Sequence, residues 1–104
     1  MSAGPIRRGL VYRARLRDLG VRPVVVVSWD AVNTVLRKPI VCHVTSTERE
    51  RALPTNVALA AGEGELDLDS FVLCHELHTL NAEDLREELG ELPDHRMREI
   101  DRAL

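Results

Sequence analysis

A small, strongly curved antiparallel β-sheet or barrel carrying one C-terminal helix is the fold this sequence predicts, and three observations predict it. Five short segments of strand character follow one another, separated by brief polar or glycine-containing links. One of them contains four consecutive β-branched residues, Val24 to Val27, which suit a strand covered on both faces. Near the end, Met97, Ile100 and Leu104 recur at i, i+3 and i+7, one apolar stripe of a helix. With 104 residues the chain is expected to be one domain over 1–104, able to bury roughly two-thirds of its unfolded surface in a single core.

Residues 7–17 (RRGLVYRARLR) alternate, with Leu10, Tyr12, Ala14 and Leu16 on one face and Val11, Arg13, Arg15 and Arg17 on the other. This predicts a half-buried strand with an arginine-rich outer face. Asp18-Leu19-Gly20-Val21 reads as a short turn, and the valine strand follows to about Trp29. Pro23 has no N–H to give a ladder, so it belongs at the start or an edge of that strand. Arg22 is thereby held at the mouth of a rigid element. Asp30 to Thr34 reads as a loop or a single helical turn, Pro39 to Thr45 as a third strand, 45–51 as a polar loop, and Asn56 to Ala60 as a fourth strand. Gly62-Glu63-Gly64-Glu65 marks a turn. Ser70 to Thr79 is the fifth strand, with Glu76 and His78 on one face and His75 and Leu77 on the other. Asn81 is a good N-cap, and Glu83 and Asp84 suit a first turn, so a short helix is expected up to Gly90, with 90–92 as a brief extra strand. Pro93 and Asp94 open the last helix.

Composition excludes several classes. No apolar run approaches the roughly 18 residues that span a bilayer. The Met1 to Ile6 start lacks a signal-peptide core, so a cytoplasmic protein with no membrane partner is expected. Cys42 and Cys74 fall inside strands and read as small, reduced core residues. One Trp, one Tyr and one Phe are too few for a base-stacking platform. The net charge of −3 hides an asymmetry: residues 1–52 carry ten basic and four acidic side chains, +6, and residues 53–104 carry four and thirteen, −9. An arginine-rich half can bind a polyanion, or the two halves can pair within the fold. Composition leaves both open.

Chemistry narrows the candidates further. His43, His75 and His78 with Cys42, Cys74 and Glu76 do not form a four-ligand set, because Cys42 and His43 point to opposite faces of a strand, as do Cys74 and His75. No metal and no cofactor is expected. Cysteine chemistry needs an exposed thiolate beside a base, and both cysteines lie in apolar strands. There is no phosphate-cradling glycine loop and no nucleophile-elbow serine. What remains is Arg22 at a strand start, Thr45-Ser46-Thr47 at a strand end, and Glu76 with His78 on a late strand. A fixed cation, hydroxyl groups and proton carriers are the minimum for phosphodiester cleavage without metal. Turn capping by Thr45 to Thr47 and surface exposure of His75 and His78 are the plain alternatives.

The ordered set Arg8-Gly9-x-Val11-Tyr12, Arg22-Pro23-Val24-Val25-Val26-Val27-Ser28 with Asn33, Val44-Thr45-Ser46-Thr47, Leu73 to Thr79 and the Met97 to Leu104 helix resembles the MazF/PemK family of toxin endoribonucleases. The resemblance implies a mainly β, CcdB/PemK-like fold, an SH3-like antiparallel barrel with a C-terminal helix. It also implies a homodimer that cuts single-stranded RNA without metal, leaving a cyclic phosphate and a 5′-hydroxyl, and a cognate antitoxin that neutralises it. Arg22 matches the family's catalytic arginine and Thr45 its threonine at the end of the third strand. This chain departs from the family pattern at Leu10, in its short Asp18 to Val21 turn, and on the fifth strand, where His75-Glu76 and His78 stand for an Asp-Gln pair and an Arg. Proton transfer then falls to Glu76, His75 or His78. Glu76 is the catalytic candidate, with Ser46, Thr47, His75, His78 and Arg13 as substrate-binding candidates. A CcdB-like toxin that binds gyrase is a second reading, although the Arg102-Ala103-Leu104 end lacks that group's Trp-Gly-Ile tail. A degenerate relative that only captures antitoxin is a third.

Overall fold

The run of valines forms the centre of a sheet. In the computed structural model, which describes residues 4–46 and 53–104, strand β2 (Gly20–Val26) lies between β1 (Leu10–Leu16) and β3 (Ile40–Thr45). With β4 (Asn56–Leu59), β5 (Ser70–Thr79) and β6 (Leu85–Glu91) they make six antiparallel strands in the order β4-β5-β3-β2-β1-β6. A short helix α1 (Asp30–Val35) links β2 to β3, and α2 (Asp94–Ala103) ends the chain. The mainly β fold is the expected one, but the sheet does not close into a barrel. Its edges, β4 and β6, are covered instead, α2 packing on β4 and β5 and the 3-10 turn Glu63–Glu65 on β6 and β1.

Both faces are buried at the centre of the sheet, which is why β2 needs an unbroken apolar run there. Val25, Cys42, Val44 and Val72 pack with Met97 and Ile100 of α2 on one face, while Val24, Val26 and Val41 pack with Tyr12, Leu16 and Leu80 on the other. Each fully buried valine contributes about 1.5–3 kcal/mol. The far end of the valine strand is fastened by polar groups. The backbone N–H of Ile40 donates to Ser28 Oγ (2.9 Å), that hydroxyl donates to Asn33 Oδ1, and Asn33 Nδ2 donates to the Ser28 carbonyl (3.1 Å), with Asn33 1% exposed. Among the described residues no helix is long and apolar enough to cross a membrane.

Four expectations are corrected. Val11 is fully buried, so β1 is covered on both faces where it begins. The strand of valines begins at Gly20, which puts Pro23 inside β2 instead of at its first residue. Residues 81–90 are not a helix: a 3-10 turn (Ala82–Asp84), closed by a reciprocal Asn81–Asp84 capping box, leads directly into β6. Pairing with β1 overrides the local helical preference, supported by an Arg13–Glu87 ion pair (3.2 Å) at mid-strand and an Arg7–Glu91 pair (3.6 Å) from the residues just before β1. Gly90 is required there because a Cβ would come within 2.7 Å of the Gly64 backbone. In α2 the stripe is Met97 and Ile100 with half-buried Ala103; Leu104 is exposed.

Candidate active site

The site begins with a proline. β2 pairs with β1 from Gly20 to Val25, but with β3 only over Val24–Val26. Pro23 has no N–H with which to extend the second ladder, and that pairing stops beside it. Beyond it opens a cleft of about 540 Å³ whose lining includes Arg13, Arg22, His43, Thr45, Ser46 and Glu76. The β2–β3 register sets Val24 opposite His43, and carried two residues further it sets Arg22 opposite Thr45. Residues two apart on a strand share a face, so Arg22, His43 and Thr45 stand on one surface. Arg22 is exposed; its guanidinium donates to the Val21 carbonyl (3.2 Å) and makes no ion pair among the described residues.

A β-bulge brings the fourth group. Cys42 faces Leu77 on β5, but the next residue, His43, faces Leu73, so Cys74, His75 and Glu76 are extra residues on the β5 side. Bulges of this kind re-aim side chains next to functional sites. Glu76 lines the cleft with its Oε2 3.1 Å from Nδ1 of His43, the imidazole 11% and the carboxylate side chain 41% exposed. His75, by contrast, is exposed and meets Thr55 Oγ1 through Nδ1 (3.1 Å), outside the cleft lining. His78 pairs with Val41 across the sheet, also outside the lining. Thr47 lies outside the described residues.

The charge asymmetry resolves both ways. Arg7, Arg8 and Arg13 are matched by Glu91, Asp101 and Glu87 of the acidic half, whereas Arg22 lines the cleft without an ion pair among the described residues. Glu65 and Asp67 line the wall after the 3-10 turn, so the cleft is mixed in sign, with phosphate favoured near Arg22 and disfavoured at that wall. The cysteines take no part. Both are buried, and the hydrogen bond to Cys74, together with burial, pushes the Cys42 thiol up and keeps it protonated. His43 is the site residue that sequence reading weighed only as a metal ligand; its spacing of two from Thr45 on a strand was the available signal.

The geometry has counterparts. The sequence model of PemK-like, MazF-like toxins of type II toxin–antitoxin systems matches residues 7–104. The chain belongs to this family. It is 33% identical over 105 residues to the endoribonuclease MazF of Staphylococcus saprophyticus, covering 95% of this chain and 88% of that MazF. Its structure is similar to that of an endoribonuclease from a mycobacterial species, with TM-score 0.80, 30% identity, and 100% and 91% of the two chains covered. It is also similar to a mycobacterial endoribonuclease solved in complex with its cognate antitoxin, with TM-score 0.77, 27% identity and coverage of 97% and 90%. In this MazF-like toxin, Arg22 and Thr45, the residues of the sequence resemblance, both line the cleft.

Proposed function

We propose that this MazF-like toxin is an endoribonuclease that cuts single-stranded RNA without a metal ion. The observation that carries the reading is Arg22, a permanent cation with no carboxylate partner among the described residues, lining one open cleft together with Thr45. Arg22 holds a scissile phosphate and neutralises the charge that builds on its oxygens in the transition state. Thr45 hydrogen-bonds a phosphate oxygen, and Ser46 and Arg13 extend the grip along the strand. The RNA 2′-oxygen attacks the neighbouring phosphorus as the bond to O5′ breaks. The products are a 2′,3′-cyclic phosphate and a 5′-hydroxyl. Glu65 and Asp67 suit base amino groups and repel backbone phosphate, which favours a chain whose bases are unpaired.

The relative named endoribonuclease MazF and the mycobacterial endoribonuclease solved with its cognate antitoxin support a toxin neutralised by an antitoxin of its own; a homodimer of single-domain chains acting in the cytoplasm completes the proposal. The test is incubation of the purified protein with a long RNA in EDTA, with end-group analysis of the fragments. Cleavage to cyclic-phosphate and 5′-hydroxyl ends that Arg22→Ala and Thr45→Ala both lose is the expected result. No cleavage by wild type at any concentration would contradict it and leave the protein-binding or antitoxin-capturing readings.

A further inference from the structure

Phosphate binding by Arg22 and Thr45 leaves one step without an agent, the removal of the 2′-hydroxyl proton. An arginine is always protonated and a threonine hydroxyl is a poor base, so neither accepts it at neutral pH. We propose that His43 is the general base and that Glu76 is its positioning residue, a histidine–carboxylate dyad assembled by the β5 bulge. This inference rests on the endoribonuclease reading and names the proton carrier of the same site.

Four observations converge on His43. It lines the cleft, and it stands two residues from Thr45 on the same face of β3. The β2–β3 register puts it within two residues, on the same face, of Arg22's position. Its Nδ1 is engaged by Glu76 Oε2 at 3.1 Å, which makes Nδ1 the protonated nitrogen and gives Nε2 a lone pair for an incoming proton. Its ring is nearly enclosed, so its orientation is fixed, while the partly exposed carboxylate steadies the imidazolium that forms. His75 and His78 lie outside the cleft lining.

The step balances as follows. The 2′-oxygen forms its bond to phosphorus while its proton passes to Nε2. The P–O5′ bond breaks with its electron pair on O5′, which takes a proton from solvent, and the imidazolium then returns its proton to solvent. The charged and titratable groups around His43 are Glu76 on β5, Arg22 on β2, Arg13 on β1, and Glu65 and Asp67 on the facing wall.

The experiment measures kcat and KM for a short RNA in EDTA across pH 5 to 9, for wild type, His43→Gln, His43→Ala, Glu76→Gln and Arg22→Ala, with thermal unfolding of each. Expected is a roughly 10²- to 10³-fold loss of kcat in both His43 variants, with KM within about twofold of wild type. The acidic limb of the kcat profile, which an imidazole base produces by titrating between pH 5 and 8, disappears with the ring. Glu76→Gln lowers kcat about tenfold with KM within about twofold of wild type and an unchanged melting temperature, a split that a role in folding alone would not produce. The His43→Gln variant retains size and polarity, so loss of cleavage with an unchanged melting temperature separates chemistry from stability. His43→Gln cleaving at the wild-type rate with an unchanged profile would overturn the dyad while Arg22→Ala inactivity kept the endoribonuclease reading. Absence of cleavage by wild type would overturn both.

Discussion

The two ends of β2 carry polar groups to opposite purposes. At its C-terminal end, Ser28, Asn33 and Arg8 are bound to one another's surroundings: Ser28 and Asn33 exchange hydrogen bonds, and Arg8 donates to the Val27 carbonyl and to Asp101 of α2 while stacking 5.7 Å from the Trp29 ring centroid. At its N-terminal end Arg22 is exposed, bonded only to a neighbouring carbonyl among the described residues. Between them lie three fully buried valines. The same strand thus has an end whose polar groups are bonded within the fold and an end whose cation faces the cleft with one neighbouring carbonyl as its hydrogen-bond partner among the described residues. What distinguishes them is Pro23, because the ladder that would have covered the second end stops there. A rigid strand, tied down at one end, presents a preorganised cation at the other, and preorganisation is what makes such a charge effective in a transition state.

That contrast can be broken from either side. The largest effect is expected from Arg22→Ala, a loss of about 10²- to 10³-fold in the RNA cleavage rate, near 3–4 kcal/mol of transition-state stabilisation, with the melting temperature unchanged. Next comes Asn33→Ala, which leaves the Ser28 carbonyl without its buried donor and removes the acceptor of the Ser28 hydroxyl. Denaturant unfolding is expected to show about 2–3 kcal/mol of destabilisation, with cleavage by the folded fraction retained. Thr45→Val keeps the shape and removes one neutral hydroxyl, so a drop in cleavage rate of about tenfold is expected, with little change in unfolding.

A fourth perturbation lies outside both β2 and the cleft lining, two residues before Glu65, and sharpens the comparison as a control. Arg96 of α2 donates to both carboxylate oxygens of Glu63, at 3.0 Å to Oε2, and holds that carboxyl below the usual range. Because folding lowers the pKa of this carboxyl, the pair contributes stability above the ordinary carboxylate range and loses it as pH falls through the folded value. Glu63→Gln is expected to lower stability by about 1 kcal/mol at pH 7 and to flatten the decline of melting temperature in acid. Cleavage should change least here, because Glu63 is not part of the cleft lining.

How legible these features are in the sequence follows the range of the interactions that make them. Four successive β-branched residues specify a two-sided strand wherever they occur, and the alternation in residues 10–16 specifies β1, so the sheet centre is readable. The cation at the strand mouth is readable as well, since Arg22-Pro23 fixes where a ladder must end. Residues 81–90 mislead, because Asn81, Glu83 and Asp84 do build a cap, yet the chain after it is captured by β1 through contacts seventy or more residues away in sequence. The His43–Glu76 pair depends on a register jump between Cys42 and His43, which no local pattern announces. Alternation alone put Glu76 and His78 together; the bulge gives Glu76 to His43 and leaves His78 opposite Val41.

The central claim is that the cleft end of β2 is chemical and the buried end structural. It is tested most directly by measuring cleavage rate and melting temperature side by side on Arg22→Ala and Asn33→Ala, with a defined RNA in EDTA. The account predicts a double dissociation, with Arg22→Ala folding like wild type and failing to cut, and Asn33→Ala melting early and cutting normally while folded. An Arg22→Ala protein that cleaves at the wild-type rate would contradict it.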